Sequence, residues 1–292
     1  LKAQAHGGGS IRPRQRIRAG GAALNMLMSG YQAGGVLGFK AFPIGPGSPG
    51  NGIFVYSSED ARLLAICQGN WLSLARTAAA SAVATRCLAR PDATVAAYLG
   101  AGRQAVGQLP AISLVHQFED IRIFSPTGTS AQRLAEEAAL AGLPARVCGS
   151  AEEAVDGADV VTVATSGHEI ALQGRWLKPG AHVNAIGVNR GNEQEIDADT
   201  VLRSDVIAVD ELENAQLEAG DLIAVVNAGK LRWDRVHDLG AILNGDAPGR
   251  PSPEAITLFE SQGIGIEDVA VAAAAYERAR ATGIGQELPE GL

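Results

Sequence analysis

The segment Gly100-Ala101-Gly102-Arg103-Gln104-Ala105 has the spacing G-x-G-x-x-A, and it stands between the apolar run TVAAYLG and a helical pattern. In such a turn the first glycine permits the tight bend, and the second lets the backbone approach a pyrophosphate. The small sixth residue allows close packing, and the helix N-terminus offers N–H groups to the anion. The sequence therefore predicts a dinucleotide site with these candidates: Gly100, Gly102, Arg103, Gln104 and Ala105. A purely structural turn is the alternative.

The end of the next predicted strand, IFSPTGTS, bears on which dinucleotide binds. Sites that prefer NAD usually place Asp or Glu there to bind the ribose 2′-hydroxyl. This chain has Ser125 and Thr127 instead, with Arg133 further along the following helix. Since no carboxylate would repel a 2′-phosphate, NADP(H) is predicted as the preferred cofactor and NAD(H) as the alternative. Capping of the next helix by Ser-Pro-Thr is compatible with either.

Further candidates follow the later apolar runs. The small side chains in VATSGHE would let a nicotinamide ribose pass, which adds Ala164, Thr165 and Ser166. Gly187, after the run AHVNAI, is another cofactor candidate. Asp210 ends the run SDVIAVD at the sheet edge where α/β sites gather, so it could act as an acid or base. Capping of the helix that follows Asp210 is an equal alternative.

Two basic residues occupy positions where a positive charge is unfavourable unless it has a partner. Lys40 lies in VLGFKAFPI, and burying its amine in such a strand is costly unless it meets a ligand or partner. Arg76 is predicted in the first turn of an Ala-rich helix with Ser73 as N-cap. The helix dipole disfavours a cation there unless an anion binds beside it. A solvated edge-strand lysine and a surface arginine are the alternatives.

The elements that must position these residues follow a regular order. From residue 93 to about residue 210, apolar β-prone runs alternate with helical patterns such as QAVGQLPAISLVHQF and SAQRLAEEAALAG. Strands that alternate with helices form parallel sheets covered on both faces. The predicted fold class is α/β, with a Rossmann-type doubly wound parallel sheet over residues 93–267.

The two chain ends have a different pattern. Residues 1–92 contain short apolar runs separated by Gly and Pro, and then the Ala-rich helix. The pattern IGIEDVAVAAAAYERARATG predicts one helix that is too long for a simple βα unit. We expect it to pack back on the first domain, so that residues 1–92 together with 268–292 form a second, α+β domain.

Composition narrows the class of protein. The 292 residues carry a net charge of −8, with 46% hydrophobic and 19% charged residues, which is typical of a globular chain with two domains. The negative charge argues against nucleic acid or an anionic membrane as partner. The three cysteines lack metal-ligand spacing, and neither a membrane span nor a signal peptide is recognisable. We therefore predict no metal site and a cytoplasmic location.

An ordered set of motifs resembles the ornithine cyclodeaminase/mu-crystallin family over roughly residues 12–288. The motifs are GFK (38–40), ARTAAASAVATRCLAR (75–90), LGAGRQA (99–105), EEAVDGADVVTVATS (152–166), WLKPGAHVNAIG (176–187) and LFESQGIGIEDVAVAAAAYERA (258–279). The resemblance implies an NAD(P)-binding Rossmann domain, a substrate and dimerisation domain built from both chain ends, and a homodimer. It also implies hydride exchange between nicotinamide and the α-carbon of a small amino or imino acid. Members usually begin with a further segment, so a helix and a strand are expected before Leu1.

The resemblance implies roles for three basic residues. Lys40 matches a family lysine that contacts the substrate carboxylate or takes part in proton transfer. Arg76 matches the arginine that binds the substrate α-carboxylate. Arg14 matches another arginine that reaches this carboxylate, although the basic run 12–18 fits a solvated strand as well.

One departure from the family pattern bears on the reaction. Cyclodeaminases and related alanine dehydrogenases are expected to have G-x-D-x-P-G-K-x-E, and counting back from Glu195 puts Asn189 at the Asp position. An amide can neither accept a proton nor hold an ammonium group by charge. The alternative is that Asn189 only contacts the nicotinamide ribose. We therefore expect an NADPH-preferring imine or ketimine reductase or amino-acid dehydrogenase, with Lys40, Asn189 and Asp210 as catalytic candidates. The alternatives are an ornithine or lysine cyclodeaminase that recycles NAD, and a non-catalytic NADP-dependent binding protein.

Overall fold

Residues 1–288 are described in the computed structural model of this chain. The chain divides into two units, Leu1–Arg76 with Gly263–Leu292, and Thr77–Gln262. Residues 77–92, which we assigned to the first domain from the sequence, belong to the second unit. Residues 263–267, which we assigned to the dinucleotide domain, belong to the first.

The elements follow in chain order. The strands are β1 (Gly9–Ile11), β2 (Gln15–Ala19), β3 (Ala22–Tyr31), β4 (Val36–Ile44), β5 (Gly52–Ser57), β6 (Leu63–Gln68), β7 (Val95–Leu99), β8 (Asp120–Phe124), β9 (Ala145–Val147), β10 (Val160–Val163), β11 (His182–Ala185), β12 (Val206–Val209), β13 (Val236–Asp238) and β14 (Thr257–Glu260). The α-helices are α1 (Lys2–Ala5), α2 (Gly69–Leu88), α3 (Arg103–Ser113), α4 (Gly128–Leu140), α5 (Ala151–Val155), α6 (Ala198–Arg203), α7 (Leu212–Glu218), α8 (Gly220–Asn227), α9 (Leu239–Asn244) and α10 (Gly265–Thr282).

The first unit is built on an antiparallel sheet. Its strand order is β1-β3-β4-β5-β6, with β2 paired to β3. One face of this sheet packs against the long helix α10, and the core there contains Val36, Ile53, Val55, Val269 and Ala272. The expectation that the C-terminal helix packs on the first domain is thus confirmed.

The opposite face of the same sheet is apolar and partly exposed. Alternation along the strands places nine side chains on it: Leu24, Met26, Met28, Leu37, Phe39, Ala41, Phe54, Tyr56 and Ile66. The rings of Phe39 and Phe54 stack with centroids 4.7 Å apart. We refer to this set as the outer sheet face.

The second unit contains eight parallel strands in the order β13-β12-β14-β11-β10-β7-β8-β9. The chain runs from β7 outward through β8 and β9, and then crosses to β10 on the other side of β7. The order therefore reverses between β7 and β10, and in open α/β sheets ligands bind at the carboxyl ends of the strands beside such a reversal.

Alternate residues of the central strands feed two separate cores. Ala97 and Leu99 of β7 belong to one core, whereas Ala96 and Tyr98 belong to the other. Residues of α3 and α4 pack into the second core, and residues of α5 to α8 into the first. The sheet is covered on both faces, so the predicted fold class is confirmed. β13 and β14 were not predicted from the sequence.

Two features are absent from the part of the chain that spans residues 1–288. None of its helices is both long and apolar enough to cross a membrane. No group of three or more His, Cys, Asp or Glu residues in residues 1–288 is arranged to hold a metal ion.

Candidate active site and cofactor site

The turn between β7 and α3 requires glycine at its first position. Gly100 has φ +95°, and a Cβ atom there would lie 2.5 Å from the carbonyl oxygen of Ala164. The Gly100 N–H donates to the carbonyl of Phe124 at 2.8 Å, which ties the turn to the end of β8. The backbones of Gly100 and Ala164 therefore lie close together at the ends of β7 and β10, and Gly100 has no room for a Cβ atom.

Gly102 differs from Gly100 because the space beside it is open. A Cβ atom at Gly102 would meet no heavy atom within 4 Å. Gly102 is also the N-cap of α3, with no side chain capping the helix. Arg103 and Gln104 lie in the first turn, and Ala105 is buried in the core beneath. An open N-terminus of an eleven-residue helix fits the pyrophosphate of a dinucleotide.

Hydroxyl groups cluster where β8 meets α4. The Ser125 and Thr127 hydroxyl oxygens are 3.2 Å apart, and those of Thr127 and Ser130 are 2.8 Å apart. Thr127 is the N-cap of α4, but its side chain makes no capping hydrogen bond. Arg133 is exposed in the second turn of α4, 3.9 Å from Glu137. Ser130 was not singled out from the sequence, although it completes this cluster.

Glu195 fastens together two of the predicted cofactor loops. One of its oxygens accepts from the N–H and the hydroxyl of Thr165, at 2.9 and 2.8 Å, and the other accepts from the N–H of Gly187 at 2.7 Å. A Cβ atom at Gly187 would collide with this carboxylate and with the backbone of Thr165. Gly187 thus permits the loops after β10 and β11 to meet. Ser166, beside Thr165, is exposed.

Six carboxyl groups are buried in this unit, and four of them interact electrostatically: Glu195, Asp210, Asp221 and Glu260. Burial, followed by the charge of Asp221, raises the pKa of Glu195 to about 8. Burial raises the pKa of Asp221 to about 6. Burial and the charges of the other three acids raise the pKa of Glu260 well above its usual range.

The structure places the two remaining catalytic candidates in this unit. Asp210 follows β12, is 3% exposed, and accepts a hydrogen bond from the Ser261 hydroxyl at 2.9 Å. The alternative that Asp210 caps the next helix is wrong, because the side chain of Glu211 caps α7 by accepting from the N–H of Asn214. Asn189 is half-buried in the loop after β11.

Lys40 lies in the first unit, on the face of β4 that packs against α10. It is 4% exposed, and its Nζ donates to Asp268 Oδ1 at 2.9 Å and to the Ser73 hydroxyl at 3.4 Å. The alternative of a solvated edge lysine is therefore wrong. Burial, together with the positive charges of Arg76 and Arg14, lowers the pKa of Lys40 to about 8, although Asp268 opposes this change.

Arg76 is also buried, but for a reason other than the one predicted. Helix α2 begins at Gly69, so Ser73 is inside the helix and Arg76 lies at the end of its second turn. The predicted N-cap at Ser73 and the argument from the helix dipole are both wrong. Arg76 is held instead by α10, since Nε donates to Asp268 at 3.0 Å and Nη1 to Glu267 at 2.8 Å.

Arg14 joins the same group from the segment before β2. Its guanidinium lies 5.4 Å from the centroid of the Phe42 ring, and the Lys40 ammonium lies 5.4 Å from that centroid as well. Arg14 is half-buried, whereas β2, which contains the neighbouring arginines, is exposed throughout. The basic run therefore contains both a solvated strand and one residue beside Lys40.

We call Lys40, Arg76, Arg14, Glu267 and Asp268 the basic cluster. The cluster brings three cations together with two carboxylates. Glu267 and Asp268 were not identified from the sequence, where two acids in the first turn of a helix are typical of ordinary dipole compensation. The cluster can hold a small anion such as a carboxylate.

Comparison with known proteins assigns the family. The sequence matches the ornithine cyclodeaminase/mu-crystallin family over residues 27–283, which is most of the chain. The protein belongs to this family. The resemblance and the fold expected from it are thereby confirmed.

Similar proteins narrow the class of reaction. The chain is 36% identical to the ketimine reductase mu-crystallin of Mus musculus over 225 residues, 77% of this chain and 68% of that protein. It superimposes with a TM-score of 0.92 and 30% identity on the Thermococcus litoralis Δ1-pyrroline-2-carboxylate reductase in complex with NADH and L-proline, covering 98% of this chain and 91% of that one. The iminosuccinate reductase of Paracoccus denitrificans with NAD+ gives a TM-score of 0.93 and 32% identity over 99% and 91% of the two chains. The predicted class, an NAD(P)-dependent oxidoreductase acting on CH–NH or C=N groups, is confirmed, and these relatives are imino-acid reductases.

Proposed function

We propose that this protein reduces a small cyclic or acyclic imino acid with NADPH. The observation that carries the proposal is the basic cluster, in which the buried cations Lys40 and Arg76 lie together and Arg14 lies beside Lys40. Ammonium and guanidinium groups that converge in this way bind carboxylates well. The Thermococcus litoralis reductase to which the chain is similar is named for a 2-carboxylate substrate.

The residues of the site then have separate roles in binding and proton transfer. Arg76 and Arg14 bind the substrate carboxylate, and Lys40, whose proton is labile near neutral pH, binds it as well or donates a proton to the imine nitrogen. Gly100, Gly102 and the first turn of α3 hold the cofactor pyrophosphate. The reduced cofactor, when bound, supplies the hydride. Asn189 contributes an amide without a labile charge, and Asp210 is the alternative acid.

A substrate panel tests the reaction. Cyclic imino acids, 2-oxo acids with amines, ornithine, lysine and alanine are each offered with NADPH and NADH, or with the oxidised cofactors. We expect consumption of NADPH with a cyclic imino acid. Release of ammonia from ornithine or lysine without net NADH would instead make the protein a cyclodeaminase. No turnover with any pair, together with tight NADPH binding, would support a non-catalytic binding protein.

The preference for NADPH rests on the hydroxyl cluster of Ser125, Thr127 and Ser130. No Asp or Glu follows β8 before Glu136, and Arg133 is exposed and available to a 2′-phosphate. We expect quenching of Trp fluorescence to give a lower Kd for NADPH than for NADH. Arg133→Leu is expected to weaken NADPH about tenfold and to leave NADH unchanged. Tighter binding of NADH by the unchanged protein contradicts the preference.

We also propose that the protein is a homodimer, with the outer sheet face covered by a second copy. A contiguous apolar face without a charged side chain is unusual on the surface of a monomer. Sedimentation velocity is expected to show twice the 30.1 kDa chain mass. Phe39→Asp should yield the monomer, whereas Leu140→Asp, at an exposed position of α4, should not.

The proposed location is the cytoplasm. The three cysteines are free thiols, which fits a protein that acts in this reducing compartment.

A further inference from the structure

A single carboxylate oxygen in the basic cluster serves two cations. Asp268 Oδ1 accepts from Lys40 Nζ at 2.9 Å and from Arg76 Nε at 3.0 Å. Asp268 lies on α10 and is fully buried, and its two partners come from β4 and α2. Since acids that only compensate a helix dipole are ordinarily solvated, the burial of Asp268 calls for another explanation.

We propose that Asp268 is a positioning residue for imino-acid reduction, which holds Lys40 and Arg76 side by side and keeps Lys40 protonated. Two cations that bind one substrate carboxylate repel each other until the substrate arrives. A shared acceptor fixes both head groups at one point and offsets that repulsion. The proposal rests on the proposed function of Lys40 and Arg76.

The charged groups that face Lys40 determine how removal of Asp268 would change the pKa of Lys40. They are Arg76 on α2, Arg14 before β2 and Asp268 on α10, and Ser73 adds a neutral hydroxyl. Asp268 is the negative member of this set. Without it, burial and two positive charges act on the ammonium unopposed, and all three favour the neutral amine.

Glu267 provides a matched control on the same turn of α10. Its carboxylate is bound by Nη1 of Arg76, at the far end of the guanidinium from the nitrogen that binds Asp268. Asp268→Asn and Glu267→Gln each remove one negative charge from adjacent, buried positions. If any loss of negative charge had the same effect, both variants would change the pKa of Lys40 equally. The proposal predicts that Asp268→Asn lowers this pKa much more than Glu267→Gln does.

The first measurement follows the Lys40 amine itself by lysine-selective NMR. The chain has four lysines, Lys2, Lys40, Lys178 and Lys230, so the signal can be assigned with Lys40→Met. In the unchanged protein we expect the pKa of Lys40 to lie near the value of about 8. Asp268→Asn should lower the pKa of Lys40 by about one unit or more, and Glu267→Gln should lower it much less. Equal pKa values in the two variants would overturn the proposal.

The second measurement is the pH profile of kcat/KM with the imino acid found in the panel. In Asp268→Asn the alkaline limb should move to lower pH by the same amount as the pKa of Lys40, and KM should rise about tenfold or more. In Glu267→Gln the limb should stay in place. A limb that does not move in Asp268→Asn contradicts the proposal, whatever happens to kcat.

Asp268→Glu covers the case in which Asp268→Asn does not fold. It keeps the charge but moves the carboxylate by one methylene, so we expect the pKa of Lys40 to remain near 8 while KM rises. An unchanged KM in a folded Asp268→Glu protein would show that the position of this oxygen is immaterial. If the NMR result holds but no substrate is reduced, Asp268 still sets the state of Lys40, and only the proposed reaction fails.

Discussion

The contacts of Arg76 depend on the planar shape of its guanidinium as well as on its positive charge. Its Nε and Nη1 reach two different carboxylates, Asp268 and Glu267, on consecutive residues of α10. A lysine has one nitrogen at the end of a flexible chain and cannot reach both in fixed geometry. The guanidinium therefore holds both carboxylates in a fixed arrangement.

Replacing Arg76 by Lys should separate charge from geometry. We expect KM for the imino acid to rise about tenfold or more, because one buried acid loses its partner and the cation loses its orientation. The same substitution should lower the free energy of unfolding by about 1–3 kcal/mol. Steady-state kinetics and denaturant titration measure the two effects.

Arg62→Lys is the control for this substitution, since Arg62 is 73% exposed and pairs only loosely with Asp60 at 3.9 Å. It should leave both quantities unchanged. An Arg76→Lys protein with the KM of the unchanged protein would remove Arg76 from the binding site.

The sequence identified the cations of the cluster but not the acids. Lys40 stands out because a charge in an apolar strand needs a partner, and Arg76 was singled out by the family resemblance and by a helix-dipole argument that the structure contradicts. Asp268 does not stand out, because it lies in a helix start where acids are common, and its partners are 228 and 192 residues away along the chain. Only the packing of α10 on the sheet brings these groups together, and a single sequence does not encode that contact locally.

At the level of elements, the turn between β7 and α3 gives its two glycines different tasks. Gly100 is required by backbone geometry and by the close approach of Ala164. Gly102 faces open space, so its lack of a side chain leaves room for something outside the chain. The spacing G-x-G-x-x-A revealed the turn, but the two tasks can be assigned only from the structure.

Substituting the two glycines separately should therefore give different defects. Gly100→Ala is expected to lower the melting temperature and weaken cofactor binding, because a positive φ and a 2.5 Å contact are both unfavourable. Gly102→Val should leave the melting temperature unchanged and weaken NADPH binding about tenfold or more. Thermal unfolding and fluorescence titration distinguish the cases, and tight NADPH binding by Gly102→Val would contradict the placement of the pyrophosphate.

Element order was predictable, whereas some element boundaries were not. Alternating patterns gave β7, α3, β8 and α4 in the right order, because period-2 and period-3.6 patterns are local properties. The start of α2 was misplaced by five residues, because Gly69 and Asn70 are poor helix formers. Tertiary contacts hold them in the helix, since the Gly69 N–H donates to Asn51 and the Asn70 side chain accepts from the N–H of Asn51.

For the whole molecule, the buried acids of the second unit should make stability depend on pH. Glu260 has one oxygen hydrogen-bonded to Gln262, and within residues 1–288 the other has no hydrogen-bond partner. A carboxyl whose pKa is raised by folding stabilises the fold at low pH. That contribution is lost as the pH rises toward the pKa of the folded state. The raised pKa of Glu195, about 8, extends the same trend to alkaline pH.

Glu260→Gln should flatten this dependence, because the amide never ionises. We expect the variant to exceed the unchanged protein in free energy of unfolding by about 1–3 kcal/mol at pH 9, and to differ little at pH 5. Urea titrations at the two values measure the difference. Glu136→Gln, on the exposed side of α4, should show no such pattern, and an equal effect of Glu260→Gln at both values would show that ionisation is not the cause.

The location of Asp268 on α10 has a consequence for biosynthesis. The sheet of the first unit is complete once residue 68 has been translated, and the whole of residues 77–262 follows before α10 emerges from the ribosome. Until then Lys40 and Arg76 have no carboxylates to meet, so burying them is unfavourable. The order of synthesis therefore delays folding of the first unit, and a released chain that ends at residue 262 should expose its N-terminal sheet to protease while the parallel sheet is already protected.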